Sequence, residues 1–289
     1  MKFAIENGNL RLECVSLGGS LCSVFDKERQ EELLYQPEPG SWQGQDVAIF
    51  PFIARLKDKT YTHQGKVYSL RNHGLCRYYE FELVSKGEDF IKLALHSNQA
   101  TLAEYPFPFV FEITYRLEGR KATVAYEVTN LGKEPLPFGI GAHPAFKVDL
   151  DENGDTSGNY ILFDKTIPLA RVIFDAKGEF VVRETDFAFK DKIETKKEIF
   201  QTYKTLCIEG EGLNHITLLR RNGRKIEFAY DKIRYLVLWS FPDSGAFVAI
   251  EPWMSLPDYV DASKEIFEKK TLHRIYPGKS YRRQYQIAI

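Results

Sequence analysis

Short stretches of strand-like sequence, separated by tight turns, run through most of this chain of 289 residues. Alternating segments flank Asn7-Gly8-Asn9, and the same pattern recurs around Gly65, Lys86–Asp89, Glu118–Arg120 and Arg221–Arg224. Turns of this length that contain Gly or Asn join neighbouring antiparallel strands. Because hairpins rather than amphipathic helices connect the segments, the sequence predicts antiparallel sheets.

Alternation within the segments indicates that each strand has one buried face. In Thr123–Thr129 the apolar residues Val124, Tyr126 and Val128 alternate with smaller or polar neighbours. A side-chain period of two places the apolar set on one face of a sheet.

The same texture continues from end to end, on both sides of the most loop-like run, residues 149–158. No period of 20–50 residues repeats, which argues against a propeller. The sequence therefore predicts an all-β fold, a large antiparallel β-sandwich that forms a single domain over residues 1–289. The weakly helical stretch Asp186–Tyr203 is expected to be an excursion over the surface.

The charge balance argues against a nucleic-acid partner. Lys plus Arg number 39 and Asp plus Glu number 40, so the formal net charge is −1 and there is no positive surplus for phosphate backbones. The basic cluster around Asn222-Gly223, which contains Arg220, Arg221, Arg224 and Lys225, is interpreted as a solvated hairpin turn.

The cysteines and the apolar runs favour a cytoplasmic protein. Cys14, Cys22, Cys76 and Cys207 form no C-x-x-C pair and are expected to be buried free thiols. No apolar run approaches the ~18 residues of a membrane span. We expect no membrane partner, a small-molecule substrate, and a monomer or a homodimer.

Two segments near the first third of the chain place polar residues where packing does not require them. Arg55 lies in the apolar run Phe50–Lys57, where a buried guanidinium needs an anionic or multi-acceptor partner, so it is either functional or half of a structural ion pair. His73 precedes Gly74, which permits a positive φ that can turn a side chain inward.

Two later segments offer an acid and a base. His143 follows the glycines Gly139 and Gly141, which let another group approach the backbone, and it precedes Pro144, which holds it extended. Glu251 ends an almost wholly apolar strand, so the pKa of its carboxyl should rise towards that of a useful base.

Other residues and motifs narrow the chemistry. Trp239 and Trp253 offer flat apolar faces that pack either against a sugar or in the core. The nucleophile-elbow, phosphate-loop and zinc-protease motifs are absent. By residue type alone, a metal site of His73, His143 and Glu251 stays open.

Four segments in this order resemble the aldose 1-epimerase (galactose mutarotase) superfamily, most closely its LacX-like branch. The resemblance covers nearly the whole chain. Its motifs are Phe-Pro-x-x-x-Arg at Phe50–Arg55, Asn-His-Gly at Asn72–Gly74, Gly-x-His-Pro-x-Phe at Gly141–Phe146, and Ile-Glu-Pro-Trp at Ile250–Trp253. The run Leu272–Gly278 also looks like the family's final turn before its last strand.

The resemblance implies a galactose mutarotase-like supersandwich with a sugar cleft on a concave sheet, and neither a metal nor an organic cofactor. By position, Glu251 matches the general base, His143 the general acid and His73 the second active-site histidine. Arg55 matches an arginine that contacts sugar oxygens. Asn214 stands where mutarotases often place an aspartate that binds a sugar hydroxyl, and Trp239 is expected to line the cleft.

The implied reaction is anomer exchange of a hexose by acid and base catalysis of ring opening. Three alternatives stay open. The first is a catalytically silent sugar-binding or sensing protein, and the second is a polysaccharide hydrolase or lyase, of which a hydrolase normally needs two flanking carboxylates. The third is a hexose-phosphate mutarotase, for which Arg71, Arg77 and Lys57 are candidate phosphate ligands.

Overall fold

A computed structural model describes residues 1–164, 171–174, 180–184, 191–210, 212–241 and 246–289, and for 180–184 only the backbone. Strands dominate these ranges. The strands of the first half are β1 Lys2–Glu6, β2 Leu10–Val15, β3 Leu21–Asp26, β4 Glu31–Glu32, β5 Thr60–His63, β6 Lys66–Ser69, β7 Glu82–Lys86, β8 Phe90–His96, β9 Phe109–Glu118, β10 Lys121–Asn130, β11 Leu136–Phe138 and β12 Ala145–Lys147.

The second half continues in the same way, with short helices between strands. Its strands are β13 Tyr160–Phe163, β14 Arg171–Phe174, β15 Phe180–Glu184, β16 Lys192–Glu194, β17 Thr205–Glu209, β18 His215–Leu219, β19 Lys225–Tyr230, β20 Tyr235–Trp239, β21 Phe247–Trp253, β22 His273–Ile275 and β23 Ser280–Ala288. The α-helices are α1 Gln99–Glu104 and α2 Lys197–Tyr203, and 3₁₀ turns span Lys57–Lys59, Cys76–Tyr78 and Ile266–Glu268. No helix within the described ranges is long and apolar enough to cross a membrane.

Two large antiparallel sheets form the body of the fold. One has nine strands in the order β16-β13-β18-β19-β23-β10-β9-β8-β7, and the other has six in the order β12-β21-β20-β17-β14-β15. A four-stranded sheet, β1-β2-β3-β4, and the pairs β5-β6 and β11-β22 complete the described topology. The predicted antiparallel all-β fold is confirmed.

Hairpin turns join many of the neighbouring strands, as the sequence predicts. The sequence predicts strands over Leu10–Val15, Lys225–Tyr230 and Ser280–Ala288, and β2, β19 and β23 have these bounds. The turns at Gly8, Gly65, Gly119 and Gly223 join neighbouring strands. Strands β3, β4, β13–β17 and β22 were not predicted. The sequence predicts a strand over Tyr79–Ser85, but β7 begins at Glu82, because Tyr79 and Phe81 form backbone hydrogen bonds with the Ser16–Gly18 segment instead.

The six-stranded sheet buries one face against the nine-stranded sheet and turns the other face outwards. On β21, Val248 and Ile250 belong to the main core, where Phe146 of β12 meets Phe228 of β19 with ring centroids 4.6 Å apart. The neighbours of Val248 and Ile250 in sequence must therefore point to the opposite face. This period of two places Glu251 outside the main core.

The stretch Asp186–Tyr203 is only partly the surface excursion that the sequence predicts. Residues 185–190 lie outside the described ranges. Strand β16 and helix α2 occupy the rest, and Ile199 and Phe200 of α2 are buried in the main core. The prediction of a surface segment is wrong for α2, because its two apolar residues are adjacent and dock together.

The basic hairpin is also not the solvated turn that the sequence predicts. Arg220 and Arg224 are only 3% and 5% exposed. Arg224 Nη2 donates to Asp26 Oδ2 over 2.6 Å, and Glu31 accepts hydrogen bonds from both arginines. The interpretation failed because these acidic partners lie almost two hundred residues earlier. The ion pairs connect the four-stranded sheet to the nine-stranded sheet.

The four cysteines are free thiols, as predicted. Cys14, Cys76 and Cys207 are buried, but Cys22 is half-buried, so the expectation of burial is wrong for that residue. Burial is the main cause that raises the pKa of the Cys22 thiol to about 11.

We expect Arg224→Met to lower the free energy of unfolding by about 3 kcal/mol, because it leaves buried Asp26 without its closest cation. Urea denaturation measures the change. Lys225→Met at the neighbouring exposed position is the matched control and should change stability by less than about 0.5 kcal/mol. Equal effects of the two substitutions would contradict a structural role for the buried pairs.

Candidate active site

A cleft of about 440 Å³ opens on the outward face of the six-stranded sheet. That volume lies in the usual range for small-ligand sites. Strands β17, β20 and β21 supply Thr205, Trp239, Glu251 and Trp253 to its lining, because these positions have the parity opposite to the core residues. Loop residues complete the lining: Trp42, Ala54, Arg55, Asn72, His73, Arg77, His143 and Pro257, together with Phe174, Tyr203 and Phe241.

A strained turn places His73 in the cleft. His73 and Gly74 both have positive φ, 62° and 78°. A Cβ atom at position 74 would collide with the carbonyl oxygen of Phe50, so the turn requires glycine there. The amide of His73 donates to the carbonyl oxygen of Ala54 over 2.8 Å, and the amide of Ala54 donates to His73 Nδ1 over 3.3 Å. The inward turn of His73 that the sequence suggests is present.

Close backbone packing places His143. A Cβ atom added to Gly141 would lie 2.9 Å from Trp253 Cδ1, and one added to Gly139 would collide with Ser255. The glycines therefore let the His143 segment lie directly against β21, as expected from the sequence. The amide of Ala142 donates to the carbonyl oxygen of Pro252 over 3.1 Å, which fixes the segment next to Glu251.

Glu251 and His143 touch at the bottom of the cleft. The distance from His143 Nε2 to Glu251 Oε1 is 3.3 Å, and Trp253 Nε1 donates to Glu251 Oε2 over 3.0 Å. Glu251 is 1% exposed and His143 is 6% exposed. The rings of His73 and His143 meet edge to face, with centroids 5.6 Å apart.

Burial shifts the pKa values of this group in opposite directions. It raises the pKa of Glu251 well above the ordinary value, and it lowers the pKa of His143 to about 3 and that of His73 well below the ordinary value. The sequence-based expectation of a raised pKa for Glu251 agrees with this burial. Burial therefore disfavours the charged form of each group, and because the two groups touch they titrate as one coupled pair.

Two residues that hold His143, Trp42 and Asp46, were not predicted from the sequence. Trp42 stacks on the His143 ring, with centroids 4.7 Å apart, and Trp239 packs against it edge to face at 5.5 Å. Asp46 accepts the amide hydrogen of His143 over 3.2 Å and the hydroxyl hydrogen of Tyr285 over 2.5 Å. Burial raises the pKa of Asp46 to about 6. A single Trp or Asp in a loop gives no sequence pattern that could identify it.

Arg55 lines the cleft but is not buried, so the expectation of a buried guanidinium is wrong. Ala54 has a positive φ of 45°, and this turn directs the chain out of the core just before Arg55. Among the described residues, no carboxylate pairs with Arg55, since the neighbouring Asp58 and Glu104 pair with other cations. The structure therefore does not support the interpretation of Arg55 as half of a structural ion pair. Its interpretation as a functional residue stays a prediction.

The structure brings five of the six predicted site residues together and leaves Asn214 apart. Asn214 is exposed, it does not line the cleft, and its carbonyl oxygen accepts the amide hydrogen of Tyr230. Of the candidate phosphate ligands, only Arg77 lines the cleft. Arg71 pairs with Glu104 over 3.5 Å, and Lys57 Nζ donates to the carbonyl oxygen of Val260 over 2.5 Å.

His73, His143 and Glu251 do not form the metal site that residue type alone left open. Within the described ranges, no group of three or more His, Cys, Asp or Glu side chains is arranged to hold a metal ion.

Comparison with known proteins gives the class of protein to which this fold and cleft correspond. Residues 1–287 match the sequence profile of the family described as aldose 1-epimerase. The chromosomal LacX protein of Lactococcus lactis is 27% identical over 300 residues, covering 100% of this chain and 99% of its own length.

Solved structures with the same fold agree with that class. A galactose mutarotase related enzyme from Lactobacillus acidophilus is 25% identical with a TM-score of 0.93, covering 100% of this chain and 97% of the other. A galactose mutarotase-like protein from Lactobacillus casei is 23% identical with a TM-score of 0.94, covering 100% and 99%. The chain belongs to the aldose 1-epimerase family, in its LacX-like branch.

We expect Trp253→Phe to raise the pKa of Glu251 further, because it removes a hydrogen bond to the charged form. A ¹³C NMR titration of the Glu251 carboxyl carbon measures the shift. Trp239→Phe is the matched control, since Trp239 makes no hydrogen bond to Glu251. An unchanged pKa in Trp253→Phe would show that the indole does not stabilise the carboxylate.

Proposed function

We propose that this protein is an aldose 1-epimerase that interconverts the α and β anomers of an aldose by opening and closing the sugar ring. Glu251 acts as the general base and His143 as the general acid. The observation that carries the proposal is their direct contact, 3.3 Å between His143 Nε2 and Glu251 Oε1, at the bottom of a cleft with aromatic walls.

Adjoining acid and base suit this reaction because both oxygens involved are bonded to the same carbon. Glu251 takes the proton from the hydroxyl on C1, and His143 gives a proton to the ring oxygen, so that the bond from C1 to the ring oxygen breaks and an aldehyde forms. Rotation about the C1–C2 bond presents the other carbonyl face, and the reverse transfers close the opposite anomer. General acid and general base catalysis each contribute roughly 10²–10⁴-fold.

In this proposal the Glu251–His143 pair holds one proton, which serves both stages of the reaction. Ring opening starts from carboxylate and imidazolium, and it ends with a carboxylic acid and a neutral imidazole. Burial favours the second state, because it penalises both charged groups. The reactive arrangement, carboxylate and imidazolium, is therefore the less favoured one in the free protein, and ring opening requires no proton exchange with solvent.

His73 serves as a neutral hydrogen-bond donor in this proposal. Burial keeps its pKa low, so the ring is neutral around pH 7. Since Nδ1 accepts the amide hydrogen of Ala54, the ring proton lies on Nε2. That N–H is free to polarise a sugar oxygen.

Two of the alternatives agree less well with the cleft. Among the described lining residues Glu251 is the only carboxylate, whereas glycoside hydrolysis normally uses two that flank one bond. Burying a carboxyl group against an imidazole costs stability. A silent sugar-binding protein would gain no catalysis from that cost.

We expect Glu251→Gln to slow anomer exchange by about 10²–10⁴-fold, because the amide cannot accept the proton, while sugar binding changes only a few-fold. Optical rotation and NMR of freshly dissolved α-glucose and α-galactose measure the exchange, with the spontaneous rate subtracted. Glu227→Gln, an exposed position on β19, is the matched control and should behave as wild type.

Equal exchange rates with and without the wild-type protein, across neutral and charged aldoses, would contradict the proposed enzyme. If the protein still bound those sugars, the sugar-binding alternative would replace it. Full activity of Glu251→Gln would leave the enzyme class intact but show that Glu251 is not the base.

The pH dependence provides a separate prediction. Lowering the pH adds a second proton to the pair and removes the base, but burial opposes that proton, as the pKa of about 3 for His143 indicates. We therefore expect kcat/KM to stay level from pH 7 to pH 5, where an ordinary histidine becomes charged. Initial rates across this range, repeated in Asp46→Asn because Asp46 has a pKa of about 6, measure it. A loss centred near pH 6.5 in both proteins would contradict the assignment.

A further inference from the structure

We propose that the aldose bound in this cleft carries an anionic substituent, either a phosphate monoester or a carboxylate, and that Arg77 and Arg55 bind it. The inference rests on the proposed function, whose substrate class it narrows. It starts from the charge of the cleft: Arg55 and Arg77 line it, and Glu251 is the only carboxylate among the described lining residues.

Glu251 does not neutralise either arginine. Its two oxygens already contact His143 Nε2 and Trp253 Nε1, and it is almost completely buried. The positive charges of Arg55 and Arg77 are felt across the site, since Arg77 lowers the pKa of both histidines and Arg55 lowers that of His73. The described part of the cleft lining therefore has a surplus of positive charge.

Carboxylates of the surrounding segments are committed to other cations. Asp58 pairs with Lys264 over 3.3 Å, Glu104 with Arg71 over 3.5 Å, and Asp258 with Lys269 over 2.6 Å. Among the described residues, the Arg77 guanidinium contacts the Tyr78 ring, with its Cζ atom 5.4 Å from the ring centroid. A half-buried guanidinium without a hydrogen-bond acceptor has its donors available for a ligand.

Both arginines belong to backbone segments that are fastened together. The Ala54–His73 hydrogen bonds join the segment of Arg55 to the turn before Arg77, and the carbonyl oxygen of Phe50 accepts the amide hydrogens of Leu75 and Cys76. These hydrogen bonds fix the backbone positions from which the two arginine side chains extend into the cleft.

Contacts through the two histidines connect the aromatic residues of the cleft to the arginine segments. Trp42 and Trp239 pack on His143, and His143 meets His73, which is hydrogen-bonded to the Arg55 segment. A sugar ring over His143 therefore lies in a cleft whose lining supplies both aromatic rings and guanidinium groups. Guanidinium binds phosphate and carboxylate through paired hydrogen bonds, whereas a neutral hexose presents no group that needs two full charges.

The test compares the anomer exchange of glucose, glucose 6-phosphate and glucuronate by NMR, with the uncatalysed rate of each subtracted. For the wild type we expect kcat/KM to be at least 10-fold higher for one of the anionic sugars than for glucose. Arg77→Gln should reduce that ratio about 10-fold or more, and Arg55→Gln should reduce it as well. Arg116→Gln on β9, an exposed arginine outside the cleft, is the matched control and should keep the ratio.

The outcomes distinguish the inference from the proposed function. Exchange of glucose at a higher kcat/KM than both anionic sugars, or an equal loss for all three sugars in Arg77→Gln, overturns the anionic substrate but leaves the epimerase intact. If no sugar is exchanged, the epimerase fails, and ligand-observed NMR of glucose 6-phosphate and glucuronate with the wild type tests the inference alone. Binding of either that is lost in Arg77→Gln supports the inference, and absence of binding overturns it. Which of the two binds identifies the substituent.

Discussion

The contact between Glu251 and His143 is the constraint on which the rest of the site depends. A carboxyl group and an imidazole that share one proton in a nearly dry environment are costly to bury, so the surrounding structure must hold both in place. Trp253 does so for Glu251 through its indole N–H, and Asp46 does so for His143 through the backbone amide. The catalytic pair is therefore held between strand β21 and several loops, each fixed by ordinary hydrogen bonds.

The sheet explains why one short strand can serve both the core and the chemistry. Val248 and Ile250 of β21 bury their side chains between the two large sheets, while Glu251 and Trp253 have the parity that faces the cleft. The same residues that make β21 a well-packed central strand therefore fix the carboxylate. Displacement of the base would require displacement of the core.

Local patterns sufficed to predict the parts of the fold that are themselves local. Alternation and turn residues gave the bounds of β2, β19 and β23, since the information lies within the hairpins. The motifs around His73, His143 and Glu251 gave the residues that meet in the cleft, because glycine and proline next to a polar residue mark unusual backbone. The structure brings these three together as the resemblance implies, and their catalytic roles stay proposals.

The failures came from residues whose partners lie far away in sequence. Arg224 has the appearance of a solvated turn residue until Asp26 of β3 is placed beside it. Arg55 was expected to be buried because its neighbours are apolar, and a positive φ at Ala54 turns it outwards. Asp46 and Trp42 were missed because tertiary packing alone gives them a role.

Arginines without a carboxylate partner affect the general acid, His143, as well as the bound ligand. A positive charge near His143 disfavours imidazolium, and Arg77 lowers the pKa of that histidine. In the complex that we propose, an anionic substituent neutralises Arg77 and removes this effect. The pKa of His143 then rises, and the proton that the pair shares moves towards the imidazole, where ring opening needs it. Binding of the anionic substituent would thus favour the protonated form of His143, the general acid. When an aldose without an anionic substituent binds, Arg77 keeps its charge, and the carboxylate–imidazolium arrangement that opens the ring is less favoured.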